Sequence, residues 1–126
     1  MENVTLKTIL EQHTLWLNSN KKEGKRADLT CANLYGAYLI GANLTGADLR
    51  YANLIRSILI DTDLTGANLT GAKLYGAYLT GADLTGAILT NATLAGADLT
   101  HTILDDKEQC RKGIVLTEPM IGYKKS

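Results

Sequence analysis

The chain has no phenylalanine, one proline, one tryptophan and two cysteines among 126 residues, and no long apolar run. Without a stretch of about eighteen apolar residues, no membrane-spanning helix is expected. The opening Met1-Glu2-Asn3-Val4-Thr5 has no basic segment followed by an apolar one, so no secretory signal is expected either. With only Cys31 and Cys110 available, a reduced, cytoplasmic protein is the expectation. The missing aromatic bulk has a second consequence. A compact core normally mixes large and small apolar shapes, whereas here one shape, leucine, recurs. That makes sense only if one packing environment recurs with it.

Chemistry is scarce as well. Catalysis needs a nucleophile, a base and an orienting group in mutual reach, and the chain holds two His, three Ser and two Cys in all. Ser57 takes an inward position, Ser19 lies in a connector and Ser126 is terminal. His13 falls on a helix face, where a hydrogen-bonded structural histidine is the simpler reading. The group His101, Asp105, Asp106, Glu108 and Cys110 has metal-capable side chains but no recognised ligand spacing. Glycine is abundant, yet no strand-to-helix junction follows it, which rules against a phosphate loop. No enzyme activity, cofactor, metal or small-molecule substrate is expected.

Net charge is zero but uneven. Residues 1–26 carry five Lys/Arg against three Glu, residues 27–106 three against eight Asp, and residues 107–126 five against two Glu. An acidic body between basic ends suits solubility and is too weakly charged to indicate direct nucleic-acid binding.

What the sequence does have is a period of five. Leucine recurs without a gap as Leu29, Leu34, Leu39, Leu44, Leu49, Leu54, Leu59, Leu64, Leu69, Leu74, Leu79, Leu84, Leu89, Leu94, Leu99 and Leu104. Two residues earlier comes Ala in thirteen of the sixteen cases, with Ser57, Thr62 and Thr102 as departures, and Gly closes nine units. Five matches neither the helical period of 3.6 nor the strand period of 2. Within a unit, however, Ala and Leu are two apart, so a short extended segment points both to one side, and the residue after it turns the chain. Four corners close a circuit of twenty residues, which stacks each Leu on the Leu twenty positions earlier. The recurrence of Leu34-Tyr35-Gly36-Ala37-Tyr38-Leu39 at 74–79 fits a multiple of twenty. The expected fold is an all-β solenoid of four coils over 27–106, with these sixteen leucines as its structural core.

The runs Ala27-Asp28-Leu29, Ala32-Asn33-Leu34, Ala42-Asn43-Leu44 and Ala47-Asp48-Leu49 resemble the A(D/N)LXX signature of the pentapeptide-repeat family. The resemblance implies a right-handed quadrilateral β-helix, a handedness that spacing alone does not supply. The leader from Leu15-Trp16-Leu17 to Gly24-Lys25-Arg26 is similar to those of cyanobacterial members.

A solenoid needs its ends covered. Leu6, Ile9, Leu10, His13, Trp16 and Leu17 form one stripe of an amphipathic helix, with Asn3 or Thr5 as N-cap, and residues 1–26 are read as a capping helix and connector. Trp16 and Leu17 are expected to touch the Leu29 layer. Residues 107–126, with Ile114-Val115-Leu116 and Pro119-Met120-Ile121, are expected to form a cap or tail at the other end.

Any function must then lie on outward columns. One stacks Tyr35, Ile55, Tyr75 and Ala95, the next Tyr38, Ile58, Tyr78 and Asp98, with Ile40 and Ile60 alongside. Together with Tyr51 these form the candidate surface for a protein partner or for self-association. Cross-strand ladders that merely stabilise the sheet are the alternative. The second coil departs most from the consensus, at Arg50, Tyr51, Ile55, Arg56, Ser57, Ile58, Ile60, Asp61 and Thr62, and that irregularity beside the stripe favours function. Outward Asp28, Asp48 and Asn68, and Asn43, Asp63 and Asp83, are expected to bond turn backbone. A DNA-mimicking role is implied by the resemblance, because some relatives bind gyrase, but those present longer and more acidic rods. Thr columns at 45/65/85, 70/90 and 80/100 occupy different sides and do not form the paired array that ice binding needs.

Overall fold

The computed structural model describes residues 5–104. The alternative N-cap Asn3, the segment 107–126, and Asp105, Asp106, Glu108 and Cys110 lie outside the described residues.

Helix α1 runs Leu6–Asn18. Thr5 is its N-cap: the extended backbone turns the Thr5 hydroxyl inward, where it accepts from the Thr8 N–H at 3.2 Å. The chain leaves α1 through Asn20 and Lys21, both at positive φ, with the Lys21 N–H donating to the Trp16 carbonyl at 2.7 Å. Gly24 then presses against the helix, and the Lys25 N–H donates to the Gln12 carbonyl at 3.1 Å.

From Ala27 the chain coils with a register of twenty. Parallel bridges join Asp28 to Asp48, Asn33 to Asn53, Tyr38 to Ile58 and Asn43 to Asp63, and each series continues to the following coils. Only β1 (Asp83–Leu84) and β2 (Ile103–Leu104) are long enough to count as strands among the described residues, and they too pair in parallel twenty apart. Each side of the coil therefore contributes about one bridge per neighbour, which is why little of the chain registers as extended sheet. The coils are nevertheless laced closely. The Leu29 N–H donates to the Asp48 carbonyl at 2.8 Å, the Cys31 N–H to the Arg50 carbonyl at 2.9 Å, and the Asp48 N–H to the Ala27 carbonyl at 3.0 Å.

Every corner is a tight turn: the Ala32 N–H donates to the Leu29 carbonyl at 3.0 Å, and the same bond repeats at each unit. The third turn residue has positive φ throughout, a region where glycine is free and other residues are strained. Where Gly is missing, Cys31, Tyr51, Arg56, Asp61, Asn91 and His101 adopt it regardless, with φ between 56° and 60°.

The sixteen leucines fill the interior with the alanines beside them, as the period of five predicts. Leu49, Leu54, Leu59, Leu64 and Leu69 are wholly enclosed. Leu74, Leu94 and Leu99, toward the far end of the tube, are buried as well, with Leu74 on the Leu54–Leu94 column and Leu99 above Leu79. Leu34 and Leu104, in the two end coils, are the least covered of the set but still belong to the core.

Three inward positions are polar. The Ser57 hydroxyl donates to the Leu54 carbonyl at 2.7 Å, Thr62 to the Leu39 carbonyl at 2.6 Å, and Thr102 to the Leu79 carbonyl at 2.6 Å. Each of these hydroxyls thus finds a backbone acceptor, which is what makes it tolerable in an apolar tube.

Helix α1 packs on the coils through Leu6, Ile9 and Leu10. Trp16 and Leu17 are half-buried and are not among the side chains packed on the core, contrary to the expected Leu29 contact. His13 bonds the helix to the first coil through the Thr45 carbonyl and the Ala27 N–H. Trp16 instead stacks on the His13 ring at 5.5 Å, and the Lys21 ammonium lies 5.3 Å from the Trp16 ring centre.

Candidate interaction surface

The twenty-residue register places the sequence-derived columns side by side on one wall. Tyr38, Ile58, Tyr78 and Asp98 are bridge partners in series, so that column is stacked through the backbone itself. At one corner the Gly36 N–H donates to the Ile55 carbonyl and the Arg56 N–H to the Tyr75 carbonyl; at the other, the Gly41 N–H donates to the Ile60 carbonyl. The wall from one corner to the next is therefore Tyr35-Tyr38-Ile40, then Ile55-Ile58-Ile60, then Tyr75-Tyr78-Thr80.

Exposure separates the two readings of this wall. Ile55, Ile58 and Ile60 sit between tyrosine-bearing coils and are half-buried, as a stabilising ladder requires. The tyrosines are not: Tyr38 is 77% exposed, Tyr35 56%, Tyr78 48% and Tyr75 37%, and Ile40 is 57% exposed. Ladder packing accounts for the isoleucines and leaves the aromatic faces open to solvent. Tyr51 is not brought to this wall. It stands one corner away with its ring over Gly71, where an added Cβ would lie 2.5 Å from ring atoms.

Next to the wall is a groove of about 570 Å³ that the columns alone did not reveal. Leu6, Leu10 and Thr14 of α1 form one side, and Tyr38, Ala42 and Asn43 of the first coil the other. Its apolar floor is continuous with the stripe through Tyr38. Helical periodicity announces the helix but not where it docks, so no sequence signal located this groove.

Several departures of the irregular second coil also have structural partners. Tyr51, Arg56 and Asp61 lie over Gly71, Gly76 and Gly81 of the next coil, so the bulky corners of the second coil sit on bare ones of the third. Arg50 grips Asp48 through two bonds of 2.8 and 2.7 Å, and Ser57 and Thr62 are bonded internally.

The outward acids are engaged in their own turns. Asn43, Asp63, Asn68, Asp83 and Asp98 each accept from the backbone N–H two residues on, and Thr45, Thr70, Thr85 and Thr100 add their hydroxyls. The Thr30 hydroxyl and N–H hold the Asp28 carboxyl below its ordinary value, Arg50 does so for Asp48, and Thr100 for Asp98. At Asp63 burial pushes upward, but the bonds from Thr65 and Thr45 outweigh it. A lowered folded-state value means the folded chain resists protonation more than the unfolded one. These carboxylates therefore stabilise the fold above about pH 3.9, and the contribution is lost as pH falls through the lowered values. Thermal unfolding followed by circular dichroism is expected to show a midpoint that drops steeply below about pH 4.

Cys31 is exposed and unpaired. Among the described residues no His, Cys, Asp and Glu side chains group in a way that would hold a metal, and no helix is long and apolar enough to cross a membrane.

The repeat block also matches a known family. The family model for pentapeptide repeats matches residues 27–66 and 67–106. The chain is similar to the pentapeptide repeat protein Rfr23 from the cyanobacterium Cyanothece 51142, at 38% identity over 80% of this chain and 67% of that one, with a TM-score of 0.40. It is also similar to HetL from the cyanobacterium Nostoc sp. strain PCC 7120, a protein involved in heterocyst differentiation regulation, at 37% identity over 64% of this chain and 46% of that one, with a TM-score of 0.31. QnrB1, a plasmid-mediated fluoroquinolone resistance protein, aligns at 24% identity over 61% of this chain and 42% of its own, with a TM-score of 0.34. No curated protein matches. The family match covers the whole repeat block and brings with it the right-handed β-helix that the repeat signature implied. This chain belongs to the pentapeptide-repeat family.

Proposed function

We propose that the chain is a non-catalytic, cytoplasmic interaction module: a short rod of four coils, capped at its N-terminal end by α1, that holds a protein partner or a second copy against its tyrosine wall. The observation that carries this reading is the open Tyr35-Tyr38-Ile40 and Tyr75-Tyr78 surface running into the groove beside α1. Tyrosine brings large contact area with a polar tip at low entropic cost, and contiguous exposed apolar surface is the usual mark of a contact site. A DNA-mimicking inhibitor would need free, regularly spaced carboxylates, whereas Asp63, Asp83 and Asp98 each have one carboxylate oxygen taken up by their own turn. In this reading the chain leaves gyrase supercoiling unchanged at micromolar concentration, and inhibition there would favour the mimic.

Replacing Tyr35, Ile55 and Tyr75 together by Ser is expected to abolish association while the circular dichroism spectrum stays unchanged. Light scattering tests self-association and pull-down tests a partner. A monomer both before and after, with no partner whose capture depends on these three residues, would sink the proposal and leave a spacer without a specific ligand.

A further inference from the structure

Helix α1 meets the coils through three apolar side chains and one polar one. Among the described residues, His13 makes every hydrogen bond between α1 and the solenoid. Its ring is fully enclosed. Nε2 is 2.8 Å from the Thr45 carbonyl, which can only accept, so Nε2 carries the proton. Nδ1 takes the Ala27 N–H at 2.9 Å, so Nδ1 carries none. The site is built for one neutral tautomer.

We propose that His13 is a proton-operated latch, released when Nδ1 gains a proton, so that α1 lifts from the first coil while the coils stay folded. A proton on Nδ1 would face the Ala27 N–H, turning an acceptor into a second donor and leaving both groups unpaired in an enclosed site. The charge of Arg26 also opposes it. Burial lowers the ring's affinity for protons, the Thr45 carbonyl partly restores it, and Arg26 lowers it again. The docked value thus lies below the ordinary imidazole value of about 6.5, which the undocked helix recovers. Docking is at full strength above that value and weakens as pH falls through the docked one. The coil-to-coil ladder contains no such group and has no reason to respond in this range.

Hydrogen exchange on the full chain at about pH 7.5 and about pH 5, corrected for intrinsic rates, tests this. Protection of α1 amides is expected to fall severalfold, while that of the coil amides holds. In His13→Gln, whose amide offers one donor and one acceptor without titrating, α1 protection is expected to be the same at both values. Unchanged α1 protection in the natural chain, or an equal loss in His13→Gln, overturns the latch. If His13→Gln does not fold, the natural chain decides alone through NMR titration of the His13 ring. A midpoint below that of free imidazole supports the latch, and one at or above it ends the idea.

Discussion

Replacing Leu69 by Asp is expected to abolish the fold. Leu69 lies in the third coil, wholly enclosed, within the column of Leu49 and Leu89, and its N–H is tied to the Ile88 carbonyl at 2.7 Å. A carboxyl there has no donor to meet it, because the surrounding side chains are leucine and alanine. Fully buried carboxyls shift upward by about 3–5 pKa units, so the group is held neutral at pH 7, and protonating it against an ordinary value of about 3.9 costs about 4 kcal/mol. The lost leucine burial adds about 2 kcal/mol. Against a typical domain stability of about 5–15 kcal/mol, that sum removes most or all of the margin. The outward Lys73→Asp, in the same coil, is expected to change stability by less than about 0.5 kcal/mol. Circular dichroism and urea unfolding compare the two directly. A stable, β-rich Leu69→Asp chain would mean that the inward assignment is wrong.

The second large effect is expected at Gly24→Ala. Gly24 has φ +73°, and a Cβ there would stand 2.7 Å from the Trp16 nitrogen and 2.9 Å from the Leu15 Cβ, with the Gln12 carbonyl oxygen nearer still. Two of these three atoms are helix backbone, which cannot swing aside. The left-handed conformation alone costs a non-glycine residue about 1–2 kcal/mol, and the overlap adds to it. The connector must then leave the helix, and α1 loses the anchor that returns the chain to Ala27. Trp16 is the only tryptophan, so its emission is expected to shift to the red, with helical signal lost and coil signal retained. The loss is independent of pH, which separates it from release through His13. An unaltered Trp16 spectrum would show that the connector tolerates the added methyl.

These two positions also show how differently the parts of this molecule are written into its sequence. The coils were legible because one inward residue, leucine, recurs at a spacing that neither helix nor plain strand can use, and the bridges from Asp28 to Asp48 and onward follow from it. Helix α1 was legible from apolar periodicity, and its N-cap was narrowed to Asn3 or Thr5. Its seat was not legible, because Leu6, Ile9 and Leu10 compete equally with Trp16 and Leu17 on one stripe, and the winner depends on where His13 finds the Thr45 carbonyl and the Ala27 N–H. The groove depends on that seat and was hidden with it. The partners of the second-coil departures were hidden for a related reason. The departures at Tyr51, Arg56 and Asp61 look gratuitous in one dimension, and only the register sets them over Gly71, Gly76 and Gly81. The tyrosine wall was legible because stacking modulo twenty is itself sequence arithmetic. Its openness to solvent was not, since exposure depends on what the helix covers.

The tyrosine wall exists only if the register is twenty, and proton NMR reads the register directly. The methyl protons of Ile58 are expected to show nuclear Overhauser contacts to the rings of both Tyr38 and Tyr78, its bridge partners above and below. Contacts from Ile58 to Asn43 and Lys73 instead would give a circuit of fifteen residues, scatter the tyrosines over different sides and contradict the account.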